Sequence, residues 1–275
     1  MNKRSLSFLK LVVKCSFIFL CGCTQIDSHH NSIESFTSLD FSPPEVKSFF
    51  LSNGLKVYLL EDNELPLVSG ALYIPGGSLW ENALERGSTS AMGYMLRHGG
   101  AGARDPKTLD RDLEKLAATV SSSFGSEYGV ISFSCLSADL ETVSDIVADI
   151  VLKPKFDVAR LDLLKLKSLE EIKRRKDDPV TVASLSFRQL LFGASPYGLP
   201  VVSEDIKRIT REKLIERYKT LLSPNKAIMA VTGNVDEGRL KALLEEKLAI
   251  WNSKSVKILN PPEAPKLGNP GIFFI

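Results

Sequence analysis

Apolar residues follow two periods along the middle of the chain. Ser48–Ser52 and Leu55–Leu60 have the composition of strands and flank Asn53-Gly54. Asn-Gly favours the positive φ angles of a tight type I′ turn, so the pattern predicts a hairpin. A further strand is predicted over Leu67–Ile74, ending at Pro75-Gly76-Gly77. Helices are predicted over Ser88–Arg97, stopped by Gly99-Gly100, and from Asp105-Pro106, with Leu109, Leu113 and Leu116 on one face. Thr119–Ser123 and Tyr128–Ser134 alternate as a strand pair. Longer helical runs cover Asp139–Leu152, Val158–Lys176, Thr181–Phe192, Thr210–Leu222 with Thr210 as N-cap, and Asp236–Trp251. One more strand spans Ala227–Val231. Runs of strands and paired helices, without regular βαβ alternation, predict an α+β fold: a largely antiparallel sheet packed against helices.

The termini read differently. Residues 1–22 carry Lys3, Arg4, Lys10 and Lys14 with no acidic residue, then the apolar run Cys15–Leu20. That run is too short to span a bilayer and has the order of an export signal. It ends Leu20-Cys21-Gly22-Cys23, which resembles the lipobox of bacterial lipoproteins. The resemblance implies cleavage before Cys23 and lipid on its thiol. Residues 23–44 are polar, include His29-His30, and read as a flexible tether. Residues 45–254 form the expected globular domain. Residues 255–275 read as a proline-rich linker and the apolar strand Gly271–Ile275, the first strand of an apparently truncated second domain.

Composition narrows the chemistry. The chain has 275 residues, 44% hydrophobic and 25% charged, with a net charge of +2. Removing the four basic residues of the leader from the 35 Lys and Arg leaves 31 against 33 Asp and Glu. Such a balance gives no electrostatic footprint for nucleic acid. Processing would leave Cys135 as the one thiol, on a strand pattern suited to a small core residue. Of three histidines, two lie in the tether and only His98 in the domain. No phosphate-binding loop or dinucleotide fingerprint is present; Gly99-Gly100-Ala101-Gly102 follows a helix, not a strand.

An ordered series of fragments then carries a resemblance: Leu51-Ser-Asn-Gly-Leu-Lys-Val57, Gly76-Gly-Ser-Leu-Trp-Glu81 to Gly87, Leu169-Glu-Glu-Ile172 with Asp178-Pro179, Pro196-Tyr-Gly198 with Pro200, and Val231-Thr-Gly-Asn234. Over residues 48–252 the chain resembles the pitrilysin/insulinase metallopeptidases, which include the mitochondrial processing peptidases. Peptide-cleaving members carry H-x-x-E-H on the helix after the glycine matched by Gly87. Two histidines one helical turn apart hold zinc, and the glutamate takes a proton from zinc-bound water. Here the metal positions fall at Ser90 and Tyr94 and the catalytic glutamate at Gly93, so no catalytic residue, metal ligand or cofactor is expected. The distant ligand position is matched by Glu171, as a vestige or as one half of an i,i+4 pair with Arg175, beside Glu170 with Arg174. His98 at the helix end suits the helix dipole.

The resemblance implies a non-catalytic, lipid-anchored subunit that supports a catalytic metallopeptidase partner of the same family or binds unfolded peptide. Its expected place is the bacterial envelope, with Thr24 pointing to the outer membrane facing the periplasm. One alternative is a zinc endopeptidase with an unorthodox site built from His98, Glu171 and Cys135. Another is a stand-alone peptide-binding envelope lipoprotein. The resemblance also places an edge strand, Thr119–Ser123 with Glu127 beyond it, where an extended peptide could add.

Overall fold

The structure is a computed structural model that describes residues 42–252. The leader, Cys23, the tether's His29-His30 and residues 255–275 lie outside the described residues. The strands are β1 (Lys47–Phe50), β2 (Lys56–Glu61), β3 (Leu67–Pro75), β4 (Thr119–Phe124), β5 (Tyr128–Leu136) and β6 (Ile228–Gly233). The helices are α1 (Ser88–His98), α2 (Pro106–Lys115), α3 (Leu140–Leu152), α4 (Val158–Arg174), α5 (Pro179–Phe192), α6 (Ser203–Arg208), α7 (Arg211–Leu221) and α8 (Glu237–Leu248).

The six strands form one sheet in the order β1-β2-β6-β3-β5-β4. Every pairing is antiparallel except β2 with β6. The α+β expectation therefore holds. Alternation along the strands gives the sheet two unlike faces. Val57, Leu59, Val68, Leu72, Ile74, Ile131 and Met229 are buried in one core with Met92 and Leu96 of α1, Ile146 and Ile150 of α3, and Leu240 of α8. Tyr73, Tyr128 and Ile228 stand exposed on the strands.

Side-chain caps set most helix starts. Asp105, Asp157, Asp178, Thr210 and Asp236 accept backbone N–H bonds at the first turns of α2, α4, α5, α7 and α8. Asp178 followed by Pro179 starts α5 two residues earlier than the apolar pattern alone predicts. The short α6 escaped sequence reading because six residues carry too little periodicity. Asp205 organises it: its buried carboxylate accepts the Val202 N–H and pairs with Arg208.

The first hairpin corrects the predicted turn. Register pairs Phe50 with Lys56, leaving Leu51–Leu55 as the connection. Gly54 donates to the Leu51 carbonyl at 2.9 Å and takes φ +88°, whereas Asn53 does not enter the positive-φ region. This is a wider turn ending in one left-handed glycine, not type I′. Asn53 is committed elsewhere: its Nδ2 donates to the Leu248 carbonyl at 2.7 Å, tying the hairpin to the end of α8.

Candidate functional site

The centre of interest is α1, because the resemblance puts all three altered motif positions on it. Its start is held by Glu81, whose carboxylate accepts the Gly87 N–H at 2.8 Å and the Thr89 N–H at 2.5 Å. Burial pushes the Glu81 carboxyl above the usual carboxylate value, against the pull of those amide donors. Glu81 belongs to the motif Gly76–Glu81, yet nothing in the sequence alone marked it as a helix anchor.

Two faces of α1 differ. Ser90 is exposed and Tyr94 half-buried, and both line a cleft of about 520 Å³ against α4. Glu171 lines the same cleft, so the structure brings together three of the four predicted site positions. Through Ser90 and Val201 the cleft adjoins a second pocket of about 320 Å³. Gly93 is buried on the adjoining face of α1, against β4. A Cβ at position 93 would stand 2.7 Å from the Phe124 nitrogen and 2.8 Å from its ring. The ring also lies over Gly129, where a Cβ would come within 2.3 Å. Phe124 thus fills the space that a glutamate at position 93 would need. The predicted strand stops at Ser123, one residue short of Phe124, and nothing in its alternation points to this contact with α1.

The predicted i,i+4 pairs divide. Arg174 meets Glu170 at 3.1 Å. Arg175 instead donates to the Val201 carbonyl, so the Glu171–Arg175 pair is not formed. Lys165 donates to the Lys207 and Ile209 carbonyls at 3.2 and 2.9 Å.

At the far end of α1, His98 stacks on Tyr94 with ring centroids 4.2 Å apart. Burial, reinforced by the Arg97 charge, holds the imidazole below its ordinary pKa, outweighing the dipole argument made from its position. Arg97 is buried; its Nε donates to the Val120 carbonyl at 3.0 Å and its Nη1 to Asp110 at 2.8 Å. Arg160 meets the other Asp110 oxygen at 3.2 Å.

β4 ends the sheet, as an edge strand should. Gly125 donates to the Tyr128 carbonyl. By antiparallel alternation, Val120, Ser122 and Phe124 then turn their backbone groups to the outer edge, which agrees with Arg97 capping Val120. Glu127, beyond the strand, accepts the Tyr197 hydroxyl at 2.8 Å.

These residues do not fit zinc. Ser90 and Tyr94 offer neutral hydroxyls, Gly93 offers nothing, and Glu171 is the one carboxylate of the cleft lining. Cys135 is buried on β5 opposite Val68, its thiol pushed by burial up to about 11, so the proposed His98, Glu171 and Cys135 set is not brought together. Among the described residues, no three His, Cys, Asp or Glu side chains gather where they could hold one ion.

Comparison with known proteins gives the family. The insulinase family profile, peptidase family M16, matches residues 56–203, and the M16 inactive-domain profile matches residues 208–275. The chain belongs to the insulinase family, M16. An uncharacterized zinc protease of Mycobacterium leprae is 29% identical over 201 residues, covering 71% of this chain and 44% of that protein. Mitochondrial-processing peptidase subunit beta of Dictyostelium discoideum is 24% identical over 235 residues, covering 82% and 49%. The chain thus spans about half the length of the curated relatives it matches. The crystal structure of a peptidase M16 inactive domain from Pseudomonas fluorescens superposes with a TM-score of 0.73 at 23% identity, over 80% of this chain and 54% of that one. It supports the M16 fold.

Proposed function

We propose that this M16 chain is a non-catalytic subunit that holds peptide for a catalytic partner. The observation that carries the reading is position 93, where Phe124 takes the place of a general base. A site without that base and without two histidines has no means of activating water on a metal. The cleft between α1 and α4 still offers space in which an extended chain could lie. Membership of a family in which a relative is named as the subunit of a processing peptidase supports a paired role. On this reading Cys23 carries lipid, residues 23–44 form the tether, and the domain faces the periplasm from the outer membrane.

Affinity capture of the tagged full chain from gently solubilised membranes tests the partnership. The expected companion is an M16 chain with an intact H-x-x-E-H. Peptide binding without any such companion would favour the stand-alone lipoprotein. Stoichiometric zinc with chelator-sensitive cleavage, lost in His98→Ala, would overturn the non-catalytic reading. For the anchor, Cys23→Ala should leave the membrane fraction or block signal removal.

A further inference from the structure

The charges around the cleft are unequal. Lys165, Lys167 and Arg175 line it, against one carboxylate, Glu171. Lys165 and Arg175 are tied to backbone carbonyls, so their positive charge is oriented but not neutralised. Lys167 is exposed. No ion pair joins these three cations to a carboxylate among the described residues. The excess extends along α1. Next to the cleft-lining Tyr94, His98 feels Arg97, Arg160 and Lys167 on the positive side and Asp110 on the negative. Asp110 is shared between two arginines, which leaves that cluster positive as well. The whole domain shows no such bias, with basic and acidic residues nearly balanced in the chain. The asymmetry is therefore local to one cleft.

We infer that the cleft between α1 and α4 selects extended peptide segments bearing acidic side chains. The inference rests on the peptide-holding reading above and adds the class of peptide. The cleft and its adjoining pocket provide room for several consecutive side chains, not a single small ion. Lys167 is exposed to solvent, where charge pairing is weakened by water and screened by salt. Selection should therefore be graded and salt-sensitive. Lys167 is the sharpest handle, because it lines the cleft without holding any other element in place.

The test uses the full chain and three labelled peptides of about twelve residues, alike except for Glu, Gln or Lys at the charged positions. Binding is followed by fluorescence anisotropy at low and high salt. The Glu peptide is expected to bind about tenfold more tightly than the Gln peptide, the Lys peptide more weakly still, with the spread collapsing in high salt. Lys167→Glu should erase the Glu preference without shifting the melting temperature. Lys173→Glu, on the same helix but outside the cleft, should not. Equal binding of all three peptides would overturn the acidic selection and leave the peptide-holding reading standing. Tightest binding of the Lys peptide, or indifference to Lys167→Glu, would overturn it too. Failure of every peptide to bind would remove both readings.

Discussion

The two flanks of α1 have diverged in opposite ways. Towards β4 the helix closes: Gly93 lets the strand approach until Phe124 occupies the space between α1 and Gly129. Towards α4 it stays open, with Ser90 and Tyr94 facing Glu171 across the cleft. One flank is packed around a glycine, and the other presents neutral hydroxyls beside three basic residues. Closure on one flank and room on the other are compatible with the proposed peptide-holding role.

Restoring the motif glutamate should break this arrangement most severely. Gly93→Glu forces a side chain into space already filled by a backbone nitrogen and a ring. Even Gly93→Ala places a carbon 2.7 Å from that nitrogen. We expect Gly93→Ala to cost about 2 kcal/mol and Gly93→Glu more, read as a lower urea midpoint with unchanged slope. If Gly93→Glu proves neutral, the closed flank is not closed.

Arg97→Gln comes next. It removes a charged donor from both Val120 and Asp110, at the junction where α1 meets the sheet edge. Asp110 keeps Arg160, so the expected loss is about 2 kcal/mol, below the figure for a fully orphaned buried charge. The β4 amides should also lose hydrogen-exchange protection. Loss of stability without altered exchange at β4 would separate Arg97 from the edge.

A smaller effect is expected at Glu81. Glu81→Gln keeps one acceptor for the Gly87 and Thr89 N–H groups but turns a donor towards the other, a loss of about 1 kcal/mol. The pH dependence has a definite sign. Because burial raises the Glu81 pKa, the folded state binds its proton more readily than the unfolded chain. Its contribution is fully present below the ordinary value near 4.5 and declines as pH rises through the raised value. The gap between wild type and Glu81→Gln should narrow over that window, measured by chemical denaturation at successive pH values.

Sequence pattern reached the strands, the long helices and the cleft positions because each rests on local periodicity or ordered fragments. Leu109 and Leu113 on one helix face, or Val57 and Leu59 on one strand face, declare their burial within a few residues. The closed flank is different in kind. Gly93 and Phe124 belong to different elements, and nothing near either in sequence says that one leaves room for the other. Asn53 misled for the same reason: its dipeptide is a local turn signal, but the Leu248 carbonyl on a remote helix claims its side chain. Arg175 likewise has a suitable partner one turn away in Glu171 and instead bonds Val201. Local rules compete with tertiary contacts at these positions, and the contacts prevail.

The smallest predicted effect is read at His98, at the far end of α1, without any ligand. His98 lies against Tyr94, where burial first, and then the charges of Arg97, Arg160 and Lys167, oppose its protonation while Asp110 favours it. Its folded pKa is depressed below 6.5, so the folded state takes up the proton less readily than the unfolded chain. Stability from this group is therefore complete above 6.5 and is lost as pH falls through the depressed value. His98→Phe preserves an aromatic ring on Tyr94 and cannot titrate. The difference in unfolding free energy between wild type and variant should consequently fall as pH drops below 6.5, while any contribution from His29 and His30 cancels. A difference that rises on acidification would mean that His98 is welcomed in its charged form. The flank would then be negative in its effect on a proton, and the contrast between a packed side and a positive, open side of α1 would fail on electrostatic grounds.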